Sequence, residues 1–287
     1  MTNLRSRPLR VAALAALLAF PACRADDGGE PRAAGDSVAD GPPEPGGTAI
    51  IAELSDMSKP MPLIFDSSLD GDLMDVMFMG LTRGAWRDGR LVYLTADESP
   101  MAAARRWELT GPDSASIRYH LRSDLVWSDG RPITAHDVKW TYDMVENPAV
   151  ASPRIDYMEH IDSVRVENDS TVTFHFVRRM PGMLFFSGLP IAPRHAFEGS
   201  DPAQVRTHPR MLNPAGGNLP VSGAFMIGSW SQGERVVLVP NPRFSPRPHL
   251  EQIVIRVVPE QTTRLVELQT GSVDFTRPVP PDQVEPL

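Results

Sequence analysis

The chain has 287 residues, of which 41% are hydrophobic, and its formal net charge at neutral pH is −8. This composition is ordinary for a globular protein, and the length suffices for one or two sizeable cores. The acidic balance argues against a nucleic-acid-binding surface. The single cysteine, Cys23, excludes an internal disulfide, and the seven scattered histidines do not predict a metal cluster.

The first 23 residues have the three parts of a secretion signal. A basic start with three arginines precedes an apolar run over 11–20, which is too short to span a bilayer as a helix. Cys23 directly after this run predicts lipidation, with a plain secretory signal or an incidental cysteine as alternatives. Residues 24–47 are rich in Gly, Pro and acidic residues, which predicts a disordered tether.

The folded part is predicted to begin with a strand over Thr48–Leu54, an apolar run bounded by Gly47 and Ser55. The loop that follows, residues 55–62, contains two prolines that prevent a helix, and Asp56 is its nearest charge. One interpretation of this loop is a plain surface connection, and the other is a segment that approaches a ligand.

The acid-rich segment after this loop has the spacing of a calcium-binding loop. Residues 66–73 match the first eight positions of an EF-hand, but the twelfth position is Met77, which lacks the bidentate carboxylate that the ion needs. The acidic residues are better explained as the start of a helix, whose positive end they complement. The helix is predicted over Leu73–Leu81, before a hairpin that turns near 86–89.

Residues 125–145 predict a strand, a tight turn and a capped helix. Asp129-Gly130 supplies the turn, because glycine takes the positive φ that a side chain resists. Thr134 stands at the N-cap of the helix, and Asp137 three residues later completes a capping box. Apolar residues then recur at helical spacing.

Three more units are predicted in the second half of the chain. Alternating strands flank the turn-forming residues Asn168–Ser170, which predicts a hairpin. His195 invites a catalytic or metal role, but no second histidine stands at ligand spacing and no serine lies in a nucleophile elbow. Residues 252–258 are typical of a strand covered on both faces, and a helix that begins near 262 ends at Gly271.

These segments resemble, in the same order, the family 5 extracellular solute-binding proteins, which are peptide, oligopeptide and nickel receptors of ABC importers. Trp127–Tyr142 carries the family's pattern W-S-D-G-x-P-[LIT]-T-A-x-D-V-x-[FW]-[ST]-[FY], directly after a strand of the Y-x-[FH]-x-L-R type. Gly80–Arg83 matches its GLTR segment, and Asn241–Phe244 matches its RNPxY/F segment. Ile253–Gly271 resembles its strand, P-x-x-x-T-R helix and glycine stop. The resemblance covers about residues 46–287.

The resemblance implies an α/β fold of the periplasmic-binding-protein type, type II, cluster C. It implies a domain I made of residues 48–81 and 181–275 and a small domain II made of residues 82–180. Residues 276–287 would then begin a crossover toward a domain III that the chain lacks. It also implies ligand contacts in the loop after the first strand and in a glycine loop, with these candidate ligand-binding residues: Asp56, Met57, Ser222 and Gly223.

The resemblance further implies an extracytoplasmic solute-binding component of an ABC importer, located in the periplasm or cell envelope. Its expected partners are peptides or other small solutes, ABC permease subunits of the inner membrane and, through lipidated Cys23, the membrane itself. No cofactor, metal, nucleic acid or bond chemistry is expected. Family members run nearly twice as long, so this chain is expected to supply one jaw of the cleft and to bind peptides no more tightly than about millimolar.

Two other functions stay open on the sequence alone. One is a lipid-anchored interaction protein that reuses a half-receptor as a docking surface. The other is an extracytoplasmic enzyme, which needs a hydrogen-bonded acid and base in a pocket.

Overall fold

A computed structural model of the chain describes residues 44–283. The predicted signal, Cys23 and most of the predicted tether lie outside these residues. The described residues, 44–283, belong to one compact unit. Its described part contains three β-sheets together with helices, so the predicted α/β class is confirmed. Between residues 44 and 283, no helix has both the length and the apolar character needed to cross a lipid bilayer.

The described residues contain eleven strands: β1 (Thr48–Glu53), β2 (Arg83–Arg87), β3 (Arg90–Leu94), β4 (Ala104–Thr110), β5 (Ser116–Leu121), β6 (Ile161–Asn168), β7 (Thr171–Phe176), β8 (Phe225–Ser231), β9 (Arg235–Pro240), β10 (Gln252–Val257) and β11 (Phe275–Thr276). They also contain six α-helices: α1 (Ser68–Met77), α2 (Ala135–Glu146), α3 (Met183–Phe186), α4 (Arg194–Phe197), α5 (Pro209–Leu212) and α6 (Gln261–Gln269).

The first sheet has the strand order β11-β1-β10-β9-β8. Its strand β1 is parallel to both neighbours, with Ile51 opposite Ile255 on one side and Phe275 on the other. The remaining pairs, β10 with β9 and β9 with β8, are antiparallel. The predicted first strand is therefore confirmed, with a parallel neighbour on each side.

Helix α1 differs from the prediction Leu73–Leu81, because it starts earlier, at Ser68, and already ends at Met77. Its N-cap is Ser67, whose hydroxyl accepts a hydrogen bond from the backbone N–H of Asp70 at 3.0 Å. Asp70 is fully buried, and its carboxylate accepts from the backbone N–H groups of Ser58 at 2.9 Å and Lys59 at 3.1 Å. The segment spaced like an EF-hand is thus helical, and its central carboxylate fixes the preceding loop.

The second sheet has the order β4-β5-β7-β6, and all its pairs are antiparallel. The predicted hairpin around Asn168–Ser170 is confirmed as β6 and β7. The predicted capped helix is confirmed as α2, where the backbone N–H of Thr134 donates to Asp137 Oδ2 at 2.8 Å. Helix α2 packs on the inner face of this sheet, with the rings of Tyr142 and Phe174 4.8 Å apart.

One hydrophobic core connects the two larger sheets. It contains Ile255 of the first sheet, Leu73 of α1 and Phe174 of the second sheet in a single cluster of buried residues. The core is continuous across the expected boundary between residues 81 and 82, and the division into domain I and domain II stays a prediction.

Candidate functional site

Three neighbouring strands of the first sheet are parallel and end at the same edge. Strands β11, β1 and β10 end at Thr276, Glu53 and Val257. In open α/β sheets, ligands bind just beyond the carboxyl ends of such strands. We call this region the carboxyl edge, and it is a depression of about 380 Å³ lined by Glu53, Leu54, Ser55, Ser67, Ser68, Leu69, Arg277 and Pro278.

The charged groups at the carboxyl edge are paired with one another. Arg277 forms an ion pair with Asp72 of α1, and its Nε lies 3.3 Å from Glu53 Oε1. Burial raises the pKa of the Glu53 carboxyl, and the charges of Arg277 and Arg264 oppose that rise. Arg264 is itself buried and donates to the carbonyl oxygen of Val258 at 2.6 Å. These charged groups are therefore engaged with one another or with the backbone at the end of the sheet.

The groups that the carboxyl edge offers to a ligand are mostly neutral. The side chain of Leu54 is 54% exposed. Ser55 and Ser68 are also exposed, and their hydroxyl groups have no hydrogen-bond partner within residues 44–283. The edge can thus contact an apolar group and hydrogen-bond an uncharged polar one.

The predicted ligand residue Asp56 connects the loop after β1 to the β8–β9 hairpin. Its carboxylate accepts from the indole N–H of Trp230 at 3.0 Å, from the backbone N–H of Gly233 at 2.7 Å and from that of Met57 at 2.8 Å. The side chain of Met57 is 3% exposed and belongs to the hydrophobic core. Both side chains are committed to contacts within the chain.

The predicted ligand residues Ser222 and Gly223 hold the end of α1. The hydroxyl of Ser222 accepts from the backbone N–H of Met79 at 2.8 Å, and the backbone N–H of Gly223 donates to Met77 O at 2.7 Å. A Cβ atom at Gly223 would lie 2.5 Å from the carbonyl oxygen of Val76. Glycine is required here because two backbone segments meet without room for a side chain.

The structure does not gather the four predicted ligand residues into one cluster. Asp56-Met57 contacts the β8–β9 hairpin, Ser222-Gly223 contacts the end of α1, and no hydrogen bond of the described part joins the two pairs. Sequence reasoning missed Glu53, Arg264 and Arg277. The sequence did carry a signal for Glu53 in strand β1 and for Arg264 in helix α6. A charged residue on an apolar face of a strand or helix implies that a partner is buried with it.

His195 makes a structural contact with the turn of the 125–145 segment. Its Nε2 lies 2.8 Å from Asp129 Oδ2, and its ring centroid lies 6.0 Å from that of Trp127. This contact joins the turn to α4. Within residues 44–283, no group of three or more His, Cys, Asp or Glu is arranged to hold a metal ion.

Sequence comparison matches residues 99–287 to the family "Bacterial extracellular solute-binding proteins, family 5 Middle". The chain is 26% identical over 196 residues to the probable D,D-dipeptide-binding periplasmic protein DdpA of Escherichia coli, covering 64% of this chain and 35% of that protein. It is 24% identical over 211 residues to the periplasmic oligopeptide-binding protein OppA of Salmonella typhimurium, covering 66% and 37%. The chain spans well under half the length of these relatives.

Solved structures of larger binding proteins superpose on this chain. The oligopeptide-binding protein AppA of Bacillus subtilis, in complex with a nonapeptide, gives a TM-score of 0.70 at 18% identity and covers 81% of this chain and 44% of its own. Haemophilus influenzae OppA, in complex with the peptide RPPGFSPFR, gives 0.70 at 19% identity, with 84% and 48% covered. At these identities the likeness concerns the fold, and it confirms the predicted type II periplasmic-binding-protein class.

Proposed function

This chain belongs to the bacterial extracellular solute-binding proteins of family 5, and we propose that it acts as the solute-binding component of an ABC importer. Its relatives are named as dipeptide-binding and oligopeptide-binding proteins, and peptides are the proposed solutes here. The proposed location is outside the cytoplasm, in the periplasm or cell envelope. The proposed partners are the permease subunits and, through a lipid on Cys23, the membrane. The relatives are binding proteins, and no catalytic step is proposed.

The neutral character of the carboxyl edge is the observation that carries this proposal. An extended peptide presents uncharged N–H and C=O groups along its backbone and side chains of varied character. The free hydroxyls of Ser55 and Ser68 suit the backbone groups, and Leu54 suits an apolar side chain. Since Glu53 and Arg277 already pair with each other, they select little for solute charge.

Asp56, Met57, Ser222 and Gly223 remain candidate ligand residues within this proposal. Their side chains, or in Gly223 the backbone N–H, are engaged inside the chain. We propose that they support the site by holding the loop after β1 and the end of α1. Direct contact with the solute would then come from neighbouring groups such as Ser55.

Titration calorimetry of the full chain against di- to pentapeptides tests the proposal. The depression at the carboxyl edge is open to solvent, so we expect saturable binding of about millimolar affinity, near −4 kcal/mol. Leu54→Asp places a charge on the exposed apolar contact and should weaken peptide binding at least fivefold. Leu212→Asp is the matched control, because Leu212 is 64% exposed on α5 and lies outside the carboxyl edge.

Two outcomes would contradict this assignment. If no peptide binds while affinity capture from envelope extracts retains one protein partner, the chain is an interaction protein that reuses the receptor fold. If peptides bind but Leu54→Asp and Leu212→Asp have the same affinity as the unaltered chain, the solute site lies elsewhere than the carboxyl edge.

A further inference from the structure

We propose that a crevice on the second sheet binds a small amphipathic carboxylate of the size of a medium-chain fatty acid. The crevice has a volume of about 470 Å³ and lies apart from the residues of the carboxyl edge. We call it the β4 crevice. Its walls include Trp107 and Leu109 of β4, Ile117 of β5, and Arg179, Met180 and Leu184 of the segment that follows β7.

The β4 crevice exists because β4 is an edge strand whose inner face is only partly covered. Leu109 lies opposite Ile117 in the register, so both point to the inner face of the sheet. Helix α2 packs on the same face but over β6 and β7, at the end of the sheet away from β4. Residues 179–184 line the crevice beside β4, and they leave Leu109 43% exposed while Ile117 is buried.

Charge in the β4 crevice is positive and unpaired. Arg179 is the one charged residue among its lining residues, is exposed, and has no carboxylate partner within residues 44–283. Arg178 beside it also lacks one. The nearest acid along β4, Glu108, points to the opposite face of the sheet, where it lies 3.7 Å from Arg118. Although the net charge of the chain is −8, the described part supplies no carboxylate partner to these two arginines.

The occupant follows from this combination of apolar walls and a basic mouth. Met180 and Leu184, with the ring of Trp107, can cover an aliphatic chain, while the Arg179 guanidinium can bind a carboxylate through two N–H groups. The volume lies within the range of small-molecule sites. A cation would be repelled by the arginines, and a neutral apolar molecule would leave them unpaired. A monocarboxylate with an apolar tail satisfies both parts of the crevice.

Calorimetric titration of the full chain with decanoate, below its micelle-forming concentration, tests this inference. We expect saturable binding at one site. Arg179→Ala should weaken it about fivefold, the effect of losing an exposed ion pair. Arg165→Ala is the matched control, because Arg165 is an exposed arginine on β6 of the same sheet, has no ion-pair partner among residues 44–283 and does not line the β4 crevice. Decyltrimethylammonium, with a similar tail and opposite charge, should bind more weakly than decanoate.

A second pair of variants locates the bound decanoate. Because Leu109 is partly exposed, Leu109→Glu and Leu109→Gln should both fold, which their melting curves check. Leu109→Glu should weaken the binding of decanoate at least tenfold more than Leu109→Gln does, since only the glutamate places a second carboxylate beside that of the bound decanoate. Equal affinities for these two variants, or no saturable binding of decanoate by the unaltered chain, would overturn the inference.

Discussion

Asp137 combines burial and a capping role in one side chain. It is 4% exposed, and its Oδ2 accepts from the backbone N–H of Thr134 at 2.8 Å and from the Thr134 hydroxyl at 3.2 Å. Burial raises the pKa of its carboxyl above 3.8, and these hydrogen bonds only partly offset the rise. The folded chain therefore holds this proton more tightly than the unfolded chain. The contribution of Asp137 to the free energy of unfolding is largest at low pH, and it falls as the pH rises from 3.8 through the pKa of Asp137 in the folded chain.

Replacing Asp137 by Asn tests this pH dependence. The amide keeps an acceptor for the Thr134 N–H but carries no charge. We expect the free energy of unfolding of the variant, relative to the unaltered chain, to increase as the pH rises from 3.8 and to level off above the folded pKa. Urea unfolding at pH 3.5 to 7 measures it. Asp143→Asn, on the exposed side of α2, controls for loss of one charge, and a pH-independent difference for Asp137→Asn would refute the expectation.

At the scale of elements, the junction between α1 and the Ser222-Gly223 loop depends on the absence of a side chain. In Gly223→Ala, the new methyl group would press on the backbone oxygen of Val76, which cannot rotate away. We expect the free energy of unfolding to fall by about 2 to 3 kcal/mol. Gly71→Ala, inside α1 with nothing within 4 Å of its added Cβ, should instead raise it by about 0.5 to 1 kcal/mol. Thermal melting compares the two, and equal shifts would contradict this packing.

The sequence was informative about elements wherever the signals were local. The turn at Asp129-Gly130 and the cap at Thr134 stand beside the helix they begin, so α2 was correctly predicted. The start of α1 differs from the prediction because the prediction placed the first helical residue at Leu73 from the spacing of apolar residues. In the structure, Ser67 caps the helix and the first helical residue is Ser68. The Arg277–Glu53 pair was missed because it joins residues 224 positions apart. Such a contact depends on the strand order of the sheet, which no short pattern encodes.

At the scale of the whole molecule, the proposed membrane attachment rests on a single residue, Cys23. Cys23→Ser removes the only thiol that can carry an acyl chain, and acyl burial contributes about 0.8 kcal/mol per methylene. We expect the variant to leave the membrane fraction while its melting temperature stays that of the delipidated chain, because Cys23 precedes the described fold. Sedimentation of cell fractions measures the release. A Ser variant that still sediments with membranes would disprove lipidation at Cys23.

Strand β1 comes first in sequence among the described strands and lies inside the first sheet, between β11 and β10. Among residues 44–283, Thr48–Glu53 pairs with residues 252–257 and 275–276 and with no strand nearer in the chain. Pairing over such separations requires closing a very long loop, so it is slow and cannot begin until the distant partners exist. During synthesis, β1 therefore stays without neighbours until almost the whole sheet has been translated. The β6–β7 hairpin, whose strands are adjacent in sequence, can pair much earlier, so the first sheet is completed after the second.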